Sequence, residues 1–297
     1  MTTAASSPTT GPASPATTAA PALSLEEMKQ LCNRMRIAII KMIGAAGSGH
    51  PGGSLSEVEM LAALYFQVMR HDPQNPSWPD RDRFILSKGH GCPALYAAMA
   101  EAGYIDPASL NTLRKLGSPL QGHPDKRMMP ILEASTGSLG QGLSIGIGIA
   151  LAARMDNLDY HTFVMTGDGE TQEGQNWEAA MFAAYHKLNN LTLIIDDNHM
   201  QLDGFTADIL DLAPLGDKFR SFGWHTLEID GNKLEEVIPA LQEARAGKGD
   251  KPCCIISNTI KGKGVSFMEN KAEWHGTAPK PDQVAAAVKE LEDNFPS

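Results

Sequence analysis

Cysteine is scarce. Four of 297 residues are Cys (Cys32, Cys92, Cys253 and Cys254), and they form no CxxC pair and no metal-ligand spacing. A cysteine-based metal site and a disulfide framework are therefore not expected, and the expectation is reduced, buried thiols in a cytoplasmic protein. Basic charge is also in deficit, with 25 Lys and Arg against 35 Asp and Glu, a formal net charge of −10. Such a surface repels phosphate backbones, so nucleic acid is not an expected partner. A phosphorylated small molecule would need local basic groups working against that background. Arginine is absent from residues 1–23, which are mostly Thr, Ala, Ser and Pro. A secretory signal needs a basic start and a continuous apolar core, and a mitochondrial presequence needs arginines. With neither pattern present, this segment is expected to be a disordered tail. No later apolar run approaches the ~20 residues that span a bilayer, so a soluble protein without membrane association is expected. No GK[ST] follows a glycine loop and no HExxH occurs, which removes the P-loop and zinc-hydrolase readings.

What is present points to one large α/β domain over residues 24–297, although two small domains would also fit the length. Ser24-Leu25-Glu26-Glu27 is a capping box, and Leu25, Met28, Leu31, Met35, Ile39 and Met42 recur behind it at helical spacing. A glycine-rich turn over Gly44–Gly53 and a second helix from about Ser56 are expected next. Arg83–Leu86 reads as a short strand, and Asp106-Pro107 as another helix start. The small-residue run from Gly140 to Ala153 predicts a helix at a close helix–helix or subunit contact. Strands at Thr162–Thr166, Leu191–Ile195, His225–Ile229 and Cys253–Ser257 alternate with helices at Trp177–Lys187 and Leu234–Arg245. A closing helix spans Pro281–Phe295. Alternating strands and helices imply a parallel sheet with helices on both faces. Ligands in such sheets sit beyond the carboxyl ends of the strands. Gly167-Asp168-Gly169, Asp197-Asn198 and Lys261-Gly262-Lys263-Gly264 should therefore share one edge.

Asp168 stands between two glycines after one strand, and Asn198 follows the next strand 30 residues later. A carboxylate and a side-chain carbonyl are hard oxygen ligands suited to Mg²⁺ or Ca²⁺. Gly167 and Gly169 would let diphosphate oxygens reach the backbone amides that open the next helix. A metal bridged to a diphosphate needs few protein ligands, so two side chains and one backbone carbonyl suffice.

The stretch GDGETQEGQNWEAAMFAAYHKLNNLTLIIDDN resembles the thiamine-diphosphate-binding motif in its transketolase version. The resemblance extends from about Ser24 to Pro279. It implies that Asp168, Asn198 and the carbonyl of Met200 hold the metal, and that Glu173 lies at the subunit interface. Thr136–Gly142 is similar to the family loop along the diphosphate and thiazolium, which adds Gly137, Ser138 and Leu139 as cofactor contacts. Four family histidine motifs occur in order, carrying His50, His90, His123 and His275. The resemblance places all four around the reactive carbon as catalytic groups, with His90 and His275 also touching the cofactor. Histidine suits hydrogen bonding to a developing alkoxide and proton transfer near neutral pH. The other five (His71, His161, His186, His199 and His225) are read as structural.

Ordinary transketolases are more than twice this long and carry their pyrimidine-binding domain and most substrate-phosphate ligands in the remainder. The resemblance is therefore to the first subunit of a split transketolase. It implies a C-terminal partner subunit, an α₂β₂ assembly and phosphorylated sugar substrates. Alternatives are a related thiamine-diphosphate synthase, a transketolase for an unusual sugar, and a non-catalytic cofactor-binding paralogue. Gly47–Gly52 also spells G-x-G-x-x-G, but a helix precedes it where a dinucleotide fingerprint needs a strand.

Overall fold

The computed structural model describes residues 23–294. The expected tail thus lies outside the described residues, apart from Leu23, whose carbonyl accepts a 2.8 Å hydrogen bond from Gln67 Nε2.

Helix α1 (Leu25–Ala46) opens with the capping box: Ser24 Oγ accepts from the Glu27 N–H at 3.3 Å, and Glu27 Oε2 from the Ser24 N–H at 2.7 Å. It continues past Gly44 and stops at Gly47, whose φ of 63° suits glycine. The glycine-rich turn is shorter than expected, because α2 (Pro51–Ser56) already begins at Pro51. Proline is preorganised for the first helical position, so Gly52 and Gly53 are helical. After a break at Glu57, α3 (Val58–Ala63) runs into a π-helical turn at Leu64–Val68. The helix expected from about Ser56 is α3 with its π-helical continuation, beginning at Val58.

Strand β1 (Arg83–Leu86) is followed by α4 (Cys92–Glu101), which the sequence reading did not anticipate. Asp106 caps a 3₁₀ turn, Pro107–Thr112, rather than an α-helix, and Arg114 just beyond it lies in the left-handed region (φ 59°). Then come α5 (Gly142–Met155), β2 (Thr162–Gly167), α6 (Gly174–Tyr185) and β3 (Leu191–Asp197). Short helices α7 (Thr206–Leu210) and α8 (Leu215–Phe222) lead to β4 (His225–Asp230), α9 (Leu234–Ala246), β5 (Cys253–Asn258) and α10 (Pro281–Asn294). Among the described residues no helix is long and apolar enough to cross a membrane.

All five strands are parallel, in the order β1-β2-β3-β5-β4. Side-chain alternation divides the core in two. Phe84, Phe163, Met165, Ile194 and Ile255 pack under α1, α3, α4, α9 and α10. Ile85, Val164, Leu193, Ile195 and Ile256 pack under α5, α6 and α8. Fully buried Ile194 and Ile195, on opposite faces, each contribute roughly 1.5–3 kcal/mol by leaving water. Helix α5 lies directly on the sheet: a Cβ at Gly146 would fall 2.3 Å from Val164 Cγ2. It also packs against α6, where the Gln141 and Gln175 amides exchange hydrogen bonds at 2.7 and 3.1 Å. The helix–helix contact predicted from its small residues is therefore present.

Candidate active site

Register brings the predicted cation ligands together. Gly167 pairs with Asp196, and Asp196 with Ser257, so Asp168, Asn198 and the segment after β5 emerge at one edge of the sheet. The Asp168 N–H donates to Asp196 O at 3.2 Å, and Asp168 Oδ2 accepts from Thr206 Oγ1 at 3.1 Å. Asn198 Nδ2 donates to Asp196 Oδ2 at 3.0 Å, while its Oδ1 accepts from the buried Met200 N–H at 3.2 Å. Burial, with repulsion from Asp197 and Asp196, pushes the Asp168 carboxyl up to about 7. A buried acid so raised is stabilised as a carboxylate by a neighbouring cation. Among the described residues no cluster of three or more His, Cys, Asp or Glu side chains is arranged to hold a metal. A cation here would rest on one carboxylate and neutral oxygens and would need further oxygens from its ligand. That donor set fits a magnesium or calcium diphosphate.

Glycines keep the neighbouring loops in contact. Gly137 has φ 125°, and a Cβ there would lie 2.7 Å from His123 Cδ2. A Cβ on Gly89 would meet the Gly137 nitrogen at 2.8 Å, and one on Gly169 would meet Gln201 Cβ at 2.9 Å. Glu170, not singled out from the sequence, staples these segments. Its buried carboxylate accepts from the Ser87 hydroxyl, from Gly140 N–H at 2.9 Å and from Gly167 N–H at 3.1 Å. Ser138 and Leu139 are exposed on the Thr136–Gly142 loop. Glu173 is exposed at the head of α6, with Gly140 against its Cβ.

The four motif histidines converge from four separate segments. The ring of His50 lies 5.3 Å from His90, 6.0 Å from His123 and 5.6 Å from His275, and His90 lies 5.1 Å from His275. His50 precedes α2, and His90 sits in the 3₁₀ turn before α4. His275 follows a 3₁₀ turn anchored by buried Trp274, whose Nε1 donates to Phe267 O at 3.0 Å. Gly52 permits this approach, since a Cβ there would lie 2.9 Å from Trp274 O. Burial, reinforced by Arg114, pushes His50 down to about 4. Burial and Lys261 push His275 down to about 3. Burial and Lys88 hold His90 well below its ordinary value. Burial and Arg114 lower His123. All four shifts favour the neutral imidazole, which can both donate and accept hydrogen bonds. Of the five read as structural, His161 is buried against Thr192, and His199 pairs with Asp197 at 3.0 Å.

Three basic residues flank the histidines, and of these only Lys261 was placed at this edge from the sequence, in the Lys261–Gly264 run. Lys88 donates to Gly53 O at 2.9 Å, forms a buried ion pair with Asp196 and lies 3.0 Å from the buried Glu57 carboxyl. Burial would lower Lys88, but the two carboxylates outweigh it and raise it. Burial pushes Glu57 up to about 8. Lys261 Nζ lies 2.8 Å from His275 Nδ1, and burial pushes it down to about 8. Arg114 reaches Ser48 Oγ at 2.8 Å, and His50 Nδ1 and Gly122 O at 3.3 Å. Lys88 lies two residues before His90, but only the histidine was read from that motif. Nothing in the local sequence signalled Arg114.

A family described as "Transketolase, thiamine diphosphate binding domain" matches residues 27–294. The 6-deoxy-6-sulfo-D-fructose transketolase subunit SqwG of Clostridium sp. (strain MSTE9) is 48% identical over 266 residues, covering 90% of this chain and 96% of that protein. An apulose-4-phosphate transketolase subunit of Actinobacillus succinogenes is 44% identical, covering 91% of this chain and 98% of that protein. Transketolase of Homo sapiens is 40% identical over 89% of this chain but 42% of its own length. The crystal structure of transketolase from Campylobacter jejuni superposes with a TM-score of 0.85 at 32% identity, covering 91% of this chain and 43% of that one. The chain thus spans about two fifths of the solved transketolase chains and nearly the full length of the relatives named as subunits. With the family match running from the first turn of α1 to the last residue of α10, this chain belongs to the transketolase family and corresponds to its thiamine diphosphate binding domain.

Proposed function

We propose that this chain is the N-terminal subunit of a split, thiamine-diphosphate-dependent transketolase. It would move a two-carbon ketol unit from a ketose phosphate to an aldose phosphate together with a C-terminal subunit that supplies the pyrimidine-binding domain. The observation that carries this reading is the convergence of the four motif histidines into one cluster, with Asp168 and Asn198 following adjacent strands of the same sheet.

Asp168, Asn198 and the Met200 carbonyl would hold Mg²⁺ or Ca²⁺ against the diphosphate. Gly137, Ser138, Leu139, Gly167 and Gly169 would line the cofactor, with Lys88 and Lys261 adding positive charge where the overall charge is −10. When bound, thiamine diphosphate supplies the carbon nucleophile and electron sink. His50, His90, His123 and His275 would orient the sugar, donate to the oxygen on which negative charge develops and relay protons.

A partner interface is supported by apolar side chains left exposed on α6 (Met181, Phe182 and Tyr185) and on α7 (Ile209 and Leu210). Exposed Glu173 at the head of α6 would belong to that interface, in an α₂β₂ assembly. Four free, buried cysteines agree with a cytoplasmic site. A second reading, a transketolase for an unusual sugar, is favoured by two relatives named for 6-deoxy-6-sulfo-D-fructose and apulose 4-phosphate.

The test is ketol transfer from xylulose 5-phosphate to ribose 5-phosphate with thiamine diphosphate and Mg²⁺, using the chain alone and with its candidate partner. Activity only in the mixture is expected. Turnover by the chain alone would overturn the split-site reading. Silence with that sugar pair but turnover of a sulfosugar or apulose phosphate would select the second reading.

A further inference from the structure

His50 and His275 differ from the other two cleft histidines in what faces Nδ1. Lys261 Nζ lies 2.8 Å from His275 Nδ1, and Arg114 Nη2 lies 3.3 Å from His50 Nδ1. Among the described residues, no such bond from a cation reaches His90 or His123. A guanidinium and an ammonium have donors only, so the nitrogen that meets them must accept. An imidazole that accepts at Nδ1 carries its proton on Nε2.

We infer that Arg114 and Lys261 are positioning residues that fix His50 and His275 as Nε2–H tautomers, so that both rings present hydrogen-bond donors to a substrate oxygen in the cleft. The geometry of both cations is built in. Arg114 is held by Ser48 Oγ and Gly122 O as well as by His50, and Gly122 has no room for a side chain beside the guanidinium. Lys261 is buried and reaches Gln201 O at 3.3 Å with the same ammonium. The two rings stand 5.6 Å apart at 89° to each other. An atom added at Gly276 would lie 3.7 Å from His50 Nε2, so that nitrogen faces the segment carrying His275.

The same cations that select the tautomer also oppose protonation of the rings. Burial and Arg114 depress His50, and burial and Lys261 depress His275. Two preoriented neutral donors stabilise a developing alkoxide without a proton leaving the protein. That the oxygen belongs to a sugar substrate rests on the transketolase reading; the tautomers do not.

The experiment is long-range ¹H–¹⁵N correlation on the full chain labelled at histidine nitrogens, with ring signals assigned from His50→Gln and His275→Gln. Nε2–H patterns are expected for both rings in the unaltered protein, and Nδ1–H patterns for either would overturn the inference. Lys261→Met should move only His275, and Arg114→Met only His50. An unchanged tautomer in either variant, with the backbone amide spectrum preserved, would equally overturn it. Lys261→Arg retains a donor and should keep the His275 pattern even if Lys261→Met fails to fold. In the active complex, Lys261→Met should lower kcat about 10²-fold while the sugar KM changes less than about threefold. Absence of ketol transfer in every form would sink the functional reading and leave the spectroscopic result standing.

Discussion

Lys88 and Asp196, 108 residues apart in the chain, meet as a buried ion pair beneath the histidine cluster. The Asp196 carboxylate also accepts from Ser56 Oγ at 2.7 Å and Thr259 Oγ1 at 2.5 Å, and Glu57 lies 3.0 Å from the same ammonium. Removing one member of a buried pair strands the other charge in low dielectric. Lys88→Met should therefore cost about 3–5 kcal/mol in urea unfolding. Adding Asp196→Asn should recover part of it. A loss below about 1 kcal/mol would show that the pair is solvated in solution.

Asp168 is the single carboxylate proposed to hold the metal, so Asp168→Ala should weaken metal-dependent thiamine diphosphate binding by more than about 10²-fold. Calorimetry with Mg²⁺ present and after chelation would measure this. Retained metal-dependent binding in the variant would show that the cation sits elsewhere.

Acid should destabilise the fold through histidines held neutral. Burial pushes His161 down to about 3, below the usual value of about 6.5. An unfolded chain takes up the proton below pH ~6.5 and the folded chain refuses it, so this contribution is full above pH ~6.5 and falls as pH drops towards 3. The limiting slope is about 1.4 kcal/mol per pH unit for this one proton. Urea titrations between pH 7 and 5 on the native chain and His161→Gln should diverge by about 2 kcal/mol in total, the slope approaching that limit only near pH 5. Parallel curves would refute the assignment.

Two glycines on α5 should respond oppositely to alanine. At Gly146 the new methyl would meet Val164 Cγ2 at 2.3 Å, so overpacking should cost about 1–3 kcal/mol. At Gly148, exposed with nothing within 4 Å, the gain in helix propensity should stabilise by up to about 1 kcal/mol. Thermal melts of Gly146→Ala and Gly148→Ala would compare them, and equal shifts would contradict the packing described.

The strands were legible because β3 and β5 are short, continuous apolar runs, the pattern of a strand covered on both faces. The Asp168–Asn198 edge was legible because each polar residue comes within three residues of the end of an apolar run. Helix α4 was not, since burial along nearly its whole length removes the polar face that periodicity needs. The pairing of Glu57 and Asp196 with Lys88 was hidden for another reason. It joins a helix break, a turn and a strand end that only the sheet register brings together. Arg114 depends on a left-handed backbone at a non-glycine residue, a conformation that residue type does not announce.

The position of β5 between β3 and β4 has a bearing on biosynthesis. A ribosome delivers β3 and β4 before the strand that must lie between them, so β4 has no strand neighbour and β3 has only β2 until Asn258 has emerged. Until then the inner edge of β3 offers unpaired amides and carbonyls to any other extended chain. Chains stalled between Asp230 and Cys253 should therefore be more prone to aggregate than shorter or finished ones, and more dependent on a chaperone that shields a strand edge.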